Sequence, residues 1–425
     1  MKLNNIFYHK KIIEILLIIL PITLLFSNVL AETILFILIL IFLVQINLKY
    51  FFNSIKNFIF IFLIIFWILL ILNSLINIEN NPSYERAIFF VRFPLFILAI
   101  NFFINKKNIN LNKIFNYWGI IFFIIFFDLI FQYFNNVNLF GFEAIQQDGV
   151  KRLGGFMNDE LKISNLIFHF SSIIFSYFFS KNYNISKKLT YFSLLFLFFS
   201  VVLIFLSAER ANFITSICFL FIVFIIISFH KIKFFTNIFI IFLITLYILF
   251  NLNNNLTKRM LVNIVPNIKL LENHSGKSFL NQDSHYFAHY SAAYQIFQNN
   301  KIFGVGLKNF RNFCDNDNFN DKIHPSWQTR KCATHPHSFY FEILSELGIT
   351  GFLSILIFFS IAFFNFYKVF FKTKDIFLLF NSLIIAMYFL PIPRGSFFNN
   401  WNAIIFWTIF SFLYARFKRL ENKND

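Results

Sequence analysis

The residues best suited to chemistry in this sequence fall in three short stretches. The first is Thr334-His335-Pro336-His337-Ser338, leading into Phe339-Tyr340-Phe341-Glu342-Ile343-Leu344-Ser345-Glu346-Leu347-Gly348. An imidazole with a pKa near ambient pH can take a proton from a hydroxyl, a contribution of roughly 10²–10⁴-fold. His337 is the candidate base, with His335 beside it, and Glu346 either orients the imidazole or holds the helix that follows. The second stretch, Ser207-Ala208-Glu209-Arg210-Ala211-Asn212, sets an arginine between two apolar runs. A guanidinium there is permanently charged and offers planar, bidentate contact to phosphate. The third, Phe303-Gly304-Val305-Gly306-Leu307-Lys308-Asn309-Phe310-Arg311, reads as a turn in which two glycines supply backbone freedom. Lys308 and Arg311 read as solvated surface, with contact to a phosphate as the alternative. Arg394, in Leu390-Pro391-Ile392-Pro393-Arg394-Gly395, is a similar case. His-x-His also suits zinc. No carboxylate or cysteine stands at a convincing ligand spacing, so neither a metal nor another cofactor is expected.

These residues must be held by a chain built for lipid. Of 425 residues, 58% are hydrophobic and 13% charged. Apolar runs such as Asn57 to Ile76, Ala211 to Phe229 and Phe234 to Phe250 are long enough to cross a hydrocarbon core as helix. In lipid they must be helical, because every backbone donor and acceptor has to be satisfied internally. About twelve such spans are expected by this length criterion, centred near residues 21, 40, 67, 96, 125, 171, 198, 220, 242, 361, 384 and 407. The fold expected is an all-α polytopic membrane protein: residues 1–250 carry spans one to nine, 251–349 form one large loop with a partly helical lid, and 350–425 carry the last three spans and a tail. The first run reads as an uncleaved anchor, because the second begins almost at once.

The net charge of +17 does not point to nucleic acid. Lys and Arg concentrate in alternate connections, among them Lys10 and Lys11, Lys106 and Lys107, Lys187 and Lys188, and the tail Arg416, Lys418 and Arg419. This is the positive-inside pattern, and it puts both termini in the cytoplasm and the large loop outside. That loop holds six of the nine histidines (His274, His285, His289, His324, His335 and His337) and two of the three cysteines. Outside a bacterial-type inner membrane disulfides persist, so Cys314 and Cys332 are expected to pair, worth roughly 3 kcal/mol in the chain-entropy model. Inside the spans, Arg92 and Asp128 are charges that lipid penalises. Either they pair with one another or they lie near span ends.

The ordered set of motifs resembles the O-antigen ligase and polymerase family of membrane glycosyltransferases. Its members carry an arginine at an outward span boundary after a serine, here Ser207 and Arg210. They carry a Gly-Val-Gly turn followed by a phenylalanine, here Gly304-Val305-Gly306 and Phe310. They carry a histidine leading to Glu-x-Gly-x-x-Gly, here His337 and then Glu346-Leu347-Gly348-Ile349-Thr350-Gly351. The resemblance covers residues 190–370 by motif and the rest by topology. It implies transfer of a glycan from an undecaprenyl-pyrophosphate carrier to an acceptor sugar hydroxyl, on the lipid A core or elsewhere, at the periplasmic face of the bacterial inner membrane. It implies Arg210 at the pyrophosphate and His337 as base. One departure is plain: the family's second arginine, early in the long loop, is missing near Asp283-Ser284-His285, so His285, Arg259 or Arg311 must supply that charge. A ligase is favoured over a polymerase of repeat units. A flippase without chemistry is the competing class, and a non-catalytic scaffold the third.

Overall fold

Each expected span centre falls inside a helix, and polar residues mark where several of these helices begin. Asn57 accepts the N–H of Ile59, Asn110 that of Lys113, Ser186 that of Leu189 and Asp375 that of Leu378; such caps satisfy donors that the first turn leaves open. The computed structural model describes residues 2–77, 83–147, 149–183, 185–228, 232–252, 254–257, 259–260, 285–315, 329 and 331–424. His274 and His324 lie outside the described residues, as does the side chain of His285.

In chain order the helices are α1 (Lys2–Phe26), α2 (Asn28–Gln45), α3 (Leu48–Ile55), α4 (Phe58–Ile76), α5 (Ser83–Phe89), α6 (Arg92–Asn105) and α7 (Leu111–Asn135). A short hairpin of β1 (Ile145–Gln147) and β2 (Val150–Arg152) follows, pairing Gln146 with Lys151. Then come α8 (Ile163–Asn182), α9 (Lys187–Leu206), α10 (Arg210–Ser228), α11 (Ile232–Leu252) and the one-turn α12 (Asn254–Thr257). The last group is α13 (His285–Asn299), α14 (Phe310–Phe313), α15 (Phe339–Thr373), α16 (Ile376–Ala386) and α17 (Asn400–Asn424). Among the described residues, eight helical segments are long and apolar enough to cross a membrane: α2, α4, the α5–α6 stretch, α7, α8, α9, α10 and α15. The architecture is that of an all-α, multi-pass membrane protein.

The chain divides into two units. The first takes in residues 1–31, 107–274 and 374–390. Here α1 packs on α7, with Trp118 Nε1 donating to Leu17 O at 2.9 Å, while α8 carries α9 on one side and α16 on another. Phe115 stacks on Tyr177 at 4.2 Å and Phe175 on Phe380 at 5.5 Å. The second unit takes in residues 32–106, 275–373 and 391–425. In it α6 packs on α17, joined by Asn105 Nδ2 to Ala415 O at 2.9 Å, and α4 packs on α15. Lipid tails are as apolar as these side chains, so close packing and interhelical hydrogen bonds averaging about 0.6 kcal/mol, rather than escape from water, hold such helices together.

Arg92 and Asp128 do not pair. Arg92 Nε lies 3.1 Å from Glu32, with Nη2 reaching Asn400 Oδ1 at 3.1 Å, so a second-unit carboxylate neutralises it. Asp128, in the first unit, accepts the N–H of Leu139 at 2.9 Å and closes the turn that follows α7. Both charges serve local structure.

Candidate active site

In the second unit the chain from Lys331 to Phe339 lays three imidazoles together. The ring of His337 lies 4.1 Å from that of His335 and 5.5 Å from that of His289, which projects from α13. Tyr286, also on α13, meets His337 edge to face at 5.5 Å. His337 takes φ +54°, a left-handed backbone uncommon for a residue with a side chain. Its carbonyl accepts the N–H of Arg394 at 2.8 Å, and the Arg394 carbonyl accepts from His335 Nε2 at 3.2 Å. Arg394 meets both histidines through its main chain. Thr334 Oγ1 meets His335 Nδ1 at 2.9 Å, so both nitrogens of that ring are engaged.

Burial lowers the pKa of both histidines. His335 falls to about 4, with the Lys308 charge adding to the effect and the Arg394 carbonyl opposing it. His337 also falls to about 4, burial acting first and His335 and His289 next, against Glu342 and the Arg394 carbonyl. At neutral pH both imidazoles are uncharged, and an uncharged imidazole is the form that can accept a proton.

The polar residues of the helix after the histidines are buried. Glu342, Ser345 and Glu346 are no more exposed than the apolar residues between them, at 1%, 0% and 0%. Their polar groups are spent on two neighbouring segments. Glu342 accepts the N–H of Phe397 at 2.9 Å and contacts Ser396. Glu346 accepts the N–H of Lys308 at 2.7 Å, and its own carbonyl takes the N–H of Gly306 at 2.9 Å. Glu346 thus holds the glycine turn. Lys308 corrects the surface reading: it is 7% exposed, at φ +64°, with Nζ against Ser396 and 3.7 Å from Glu342. A carboxylate within reach explains how an ammonium is tolerated there. Arg311 is exposed, on α14.

Glycines let these segments touch. At Gly348 the helix kinks with φ +65° and ψ −164°, and a Cβ there would lie 2.3 Å from Ile302 O. At Gly304 a Cβ would lie 2.4 Å from the Glu346 carbonyl carbon. Cys314 and Cys332 are joined by a disulfide, Cα–Cα 5.2 Å, which ties the end of α14 to the chain three residues before His335. The same unit contains a cavity of about 340 Å³ whose lining includes Glu32, Glu85, Arg86 and Arg92, two charges of each sign, together with Phe397. Among the described residues no group of three or more His, Cys, Asp or Glu side chains is spaced to hold a metal ion.

The first unit holds Arg210 and Arg259. Arg210 opens α10, directly after Ala208 at φ +61° and Glu209. Asn212 Nδ2 donates to Glu209 Oε2 at 2.6 Å. Arg259 Nε is 3.4 Å from Ala208 O, and its Nη1 is 3.5 Å from Gln147 O. Arg152 on β2 donates to Gln147 Oε1 at 2.7 Å. Burial raises the pKa of Glu209 to about 7, against the Asn212 hydrogen bond and the Arg152 charge.

The described segments 285–315 and 331–349, the turn at 207–209 and α10 all lie within one family match. Residues 195–356 fit the family model described as O-antigen ligase. This stretch resembles the O-antigen ligase family. Its members carry out glycan transfer of the ligase or polymerase type, with glycans and lipid-linked substrates at a membrane. The O-antigen ligase stretch contains Arg210, Arg259, His285, Arg311, His335, His337 and Glu346, and leaves Arg152 and Arg394 outside. No curated protein matches the chain. Sequence reasoning passed over Arg152, His289, Glu342 and Ser396 as site residues. Arg152 had a signal, a cation in a connection between two apolar runs. Ser396 had none, since only the fold brings it to Glu342.

Proposed function

We propose that the chain is an O-antigen ligase that moves a glycan from an undecaprenyl-pyrophosphate carrier to a sugar hydroxyl of the lipid A core or a similar acceptor. The reaction runs at the periplasmic face of the bacterial inner membrane, with both termini in the cytoplasm, and needs no metal. His337 is the base that takes the proton from the acceptor hydroxyl. The observation that carries this assignment is its uncharged, half-buried imidazole on a backbone fixed by Arg394 and flanked by His335. His335, with both nitrogens engaged, positions its neighbour. Arg210 binds the leaving pyrophosphate, whose growing charge a guanidinium stabilises. The charge-balanced cavity of the second unit is our assignment for the acceptor sugar, with carboxylates for its hydroxyls and a phenylalanine ring for its apolar face.

The test is deletion of the gene in its host, with envelope polysaccharide read on gels after complementation by wild type, His337→Ala and Arg210→Ala. Loss of acceptor-linked glycan with carrier-linked polymer accumulating, and no rescue by either variant, supports the ligase. Single repeat units in place of long chains support a polymerase. Full rescue by both variants refutes glycan-transfer chemistry at these residues and favours a transporter.

A further inference from the structure

The first unit carries a carboxyl in an unusual place, at the turn between two membrane-crossing helices and among arginines. Ala208 adopts a left-handed conformation that costs a residue with a Cβ energy, and such strain persists where the surroundings enforce it. It brings Glu209 to the N-terminal end of α10, where the Phe213 N–H bonds to the Glu209 carbonyl. One carboxyl oxygen takes Asn212, while Oε1 is buried and accepts no hydrogen bond among the described residues. Arg152 is the charge that faces this carboxyl, and two further arginines stand on neighbouring segments. Arg152 stands on the hairpin, Arg210 on α10, and Arg259 past α12 beside the Ala208 carbonyl, with Gln147 contacted by both Arg152 and Arg259. Gln147 itself is exposed, so this cluster has an open side.

We propose that Glu209 is the proton partner of the donor's diphosphate, taking up one proton when the diphosphate binds and returning it when the glycan departs. The inference rests on the reading of a lipid-diphosphate donor given above. A carboxylate and a diphosphate compete for the same guanidinium groups. A proton on Oε1 removes that repulsion and turns an unused acceptor into a donor toward a phosphate oxygen. Burial already holds this carboxyl close to half-protonated near neutral pH, so the uptake is cheap. In the transfer step the acceptor oxygen bonds to the sugar's anomeric carbon as the bond from that carbon to the phosphate oxygen breaks. The hydroxyl proton goes to His337, and the Glu209 proton goes to the departing diphosphate. Glycoside and protonated diphosphate leave, and the two side chains exchange one proton with solvent to reset.

Titration calorimetry on the purified full-length chain tests this with inorganic pyrophosphate at pH 8, in two buffers of different ionisation heat. Wild type takes up close to one proton more per pyrophosphate bound than Glu209→Gln does, a difference that cancels any proton pyrophosphate itself exchanges. Because a group of pKa about 7 is about ten-fold deprotonated at pH 8, Glu209→Gln binds about ten-fold tighter there and loses the pH dependence. Glu209→Asp keeps the uptake, which separates loss of the carboxyl from loss of the fold. Equal uptake in wild type and Glu209→Gln, or loss of binding in Glu209→Gln while Glu209→Asp binds, overturns the inference and leaves the donor reading intact. Failure of wild type to bind either pyrophosphate or a short-chain polyprenyl pyrophosphate overturns both. Binding of the polyprenyl form alone assigns the site to the lipid carrier rather than to free pyrophosphate.

Discussion

Gly348→Ala is the change whose cost follows most directly from the backbone. Residue 348 sits at φ +65° and ψ −164°, a region that essentially only glycine occupies, and forcing a Cβ into it costs about 1–3 kcal/mol. The added carbon would also lie 2.3 Å from Ile302 O, 2.5 Å from Ile302 C and 2.7 Å from Gly304 N. All three are main-chain atoms, so the turn must move rather than a side chain swing away. That movement strains the bonds from Ile349 N to Lys301 O at 2.8 Å, Val305 N to Ser345 O at 3.0 Å and Gly306 N to Glu346 O at 2.9 Å, each worth about 1 kcal/mol. With all three bonds lost the total is about 4–6 kcal/mol, at the severe end for one substitution. Gly119→Ala is the control: its Cβ meets nothing within 4 Å, and it lies inside α7, where alanine is favoured by up to about 1 kcal/mol. Thermal unfolding in detergent, followed by tryptophan fluorescence, should show Gly348→Ala melting well below wild type and Gly119→Ala at or slightly above it. Equal melting of the two variants would refute the reasoning about the kink.

Two further outcomes follow from the histidine segment. With His337 at about 4 instead of its usual 6.5, the acid limb of the transfer rate should fall near pH 4, and a limb near 6.5 would show an imidazole open to water. The sign for stability is the same: the unfolded segment binds protons from pH 6.5 downward while the folded one does not until about 4. Stability is therefore complete above 6.5 and about 3 kcal/mol is lost as pH falls through that window, measurable as a falling melting temperature between pH 7 and 4. Arg394→Ala keeps both main-chain bonds and should lower transfer by about five-fold or less, roughly 1 kcal/mol. Arg394→Pro removes the N–H that holds His337 and should lower it far more, and the opposite order in a transfer assay would show that the guanidinium is what matters.

Local patterns made much of this molecule legible, and long-range contacts did not. Uninterrupted apolar runs can be satisfied in lipid only as helices, so the positions of α4, α7 and α9 could be read without a structure. Gly304 and Gly306 were legible as turn residues because glycine takes a positive φ, here +64° and +99°, without a Cβ penalty. Lys308 was misread as surface and Glu342 passed over for one physical reason. Their polarity suggested solvent, but a buried polar residue is indistinguishable in sequence from an exposed one until its partners are known. Those partners, Ser396 and the N–H of Phe397, stand some fifty residues beyond Glu342. The partner of Arg92 could not be read, because composition shows which charges need neutralising and not which helices are neighbours, here those of Glu32 and Asn400.

The left-handed backbone at His337 has a practical consequence for trapping the enzyme with its substrates. Asparagine is among the few residues besides glycine that settle readily at positive φ, and its amide cannot serve as a base at neutral pH. With His337 as the proposed base, His337→Asn is the variant of choice for a snapshot: it preserves the bend that presents the side chain and should stall turnover, so that the proposed donor and acceptor accumulate together for cryo-microscopy. Alanine at the same position silences the chemistry but leaves a Cβ in a conformation it dislikes, and a loop that relaxes would blur the view.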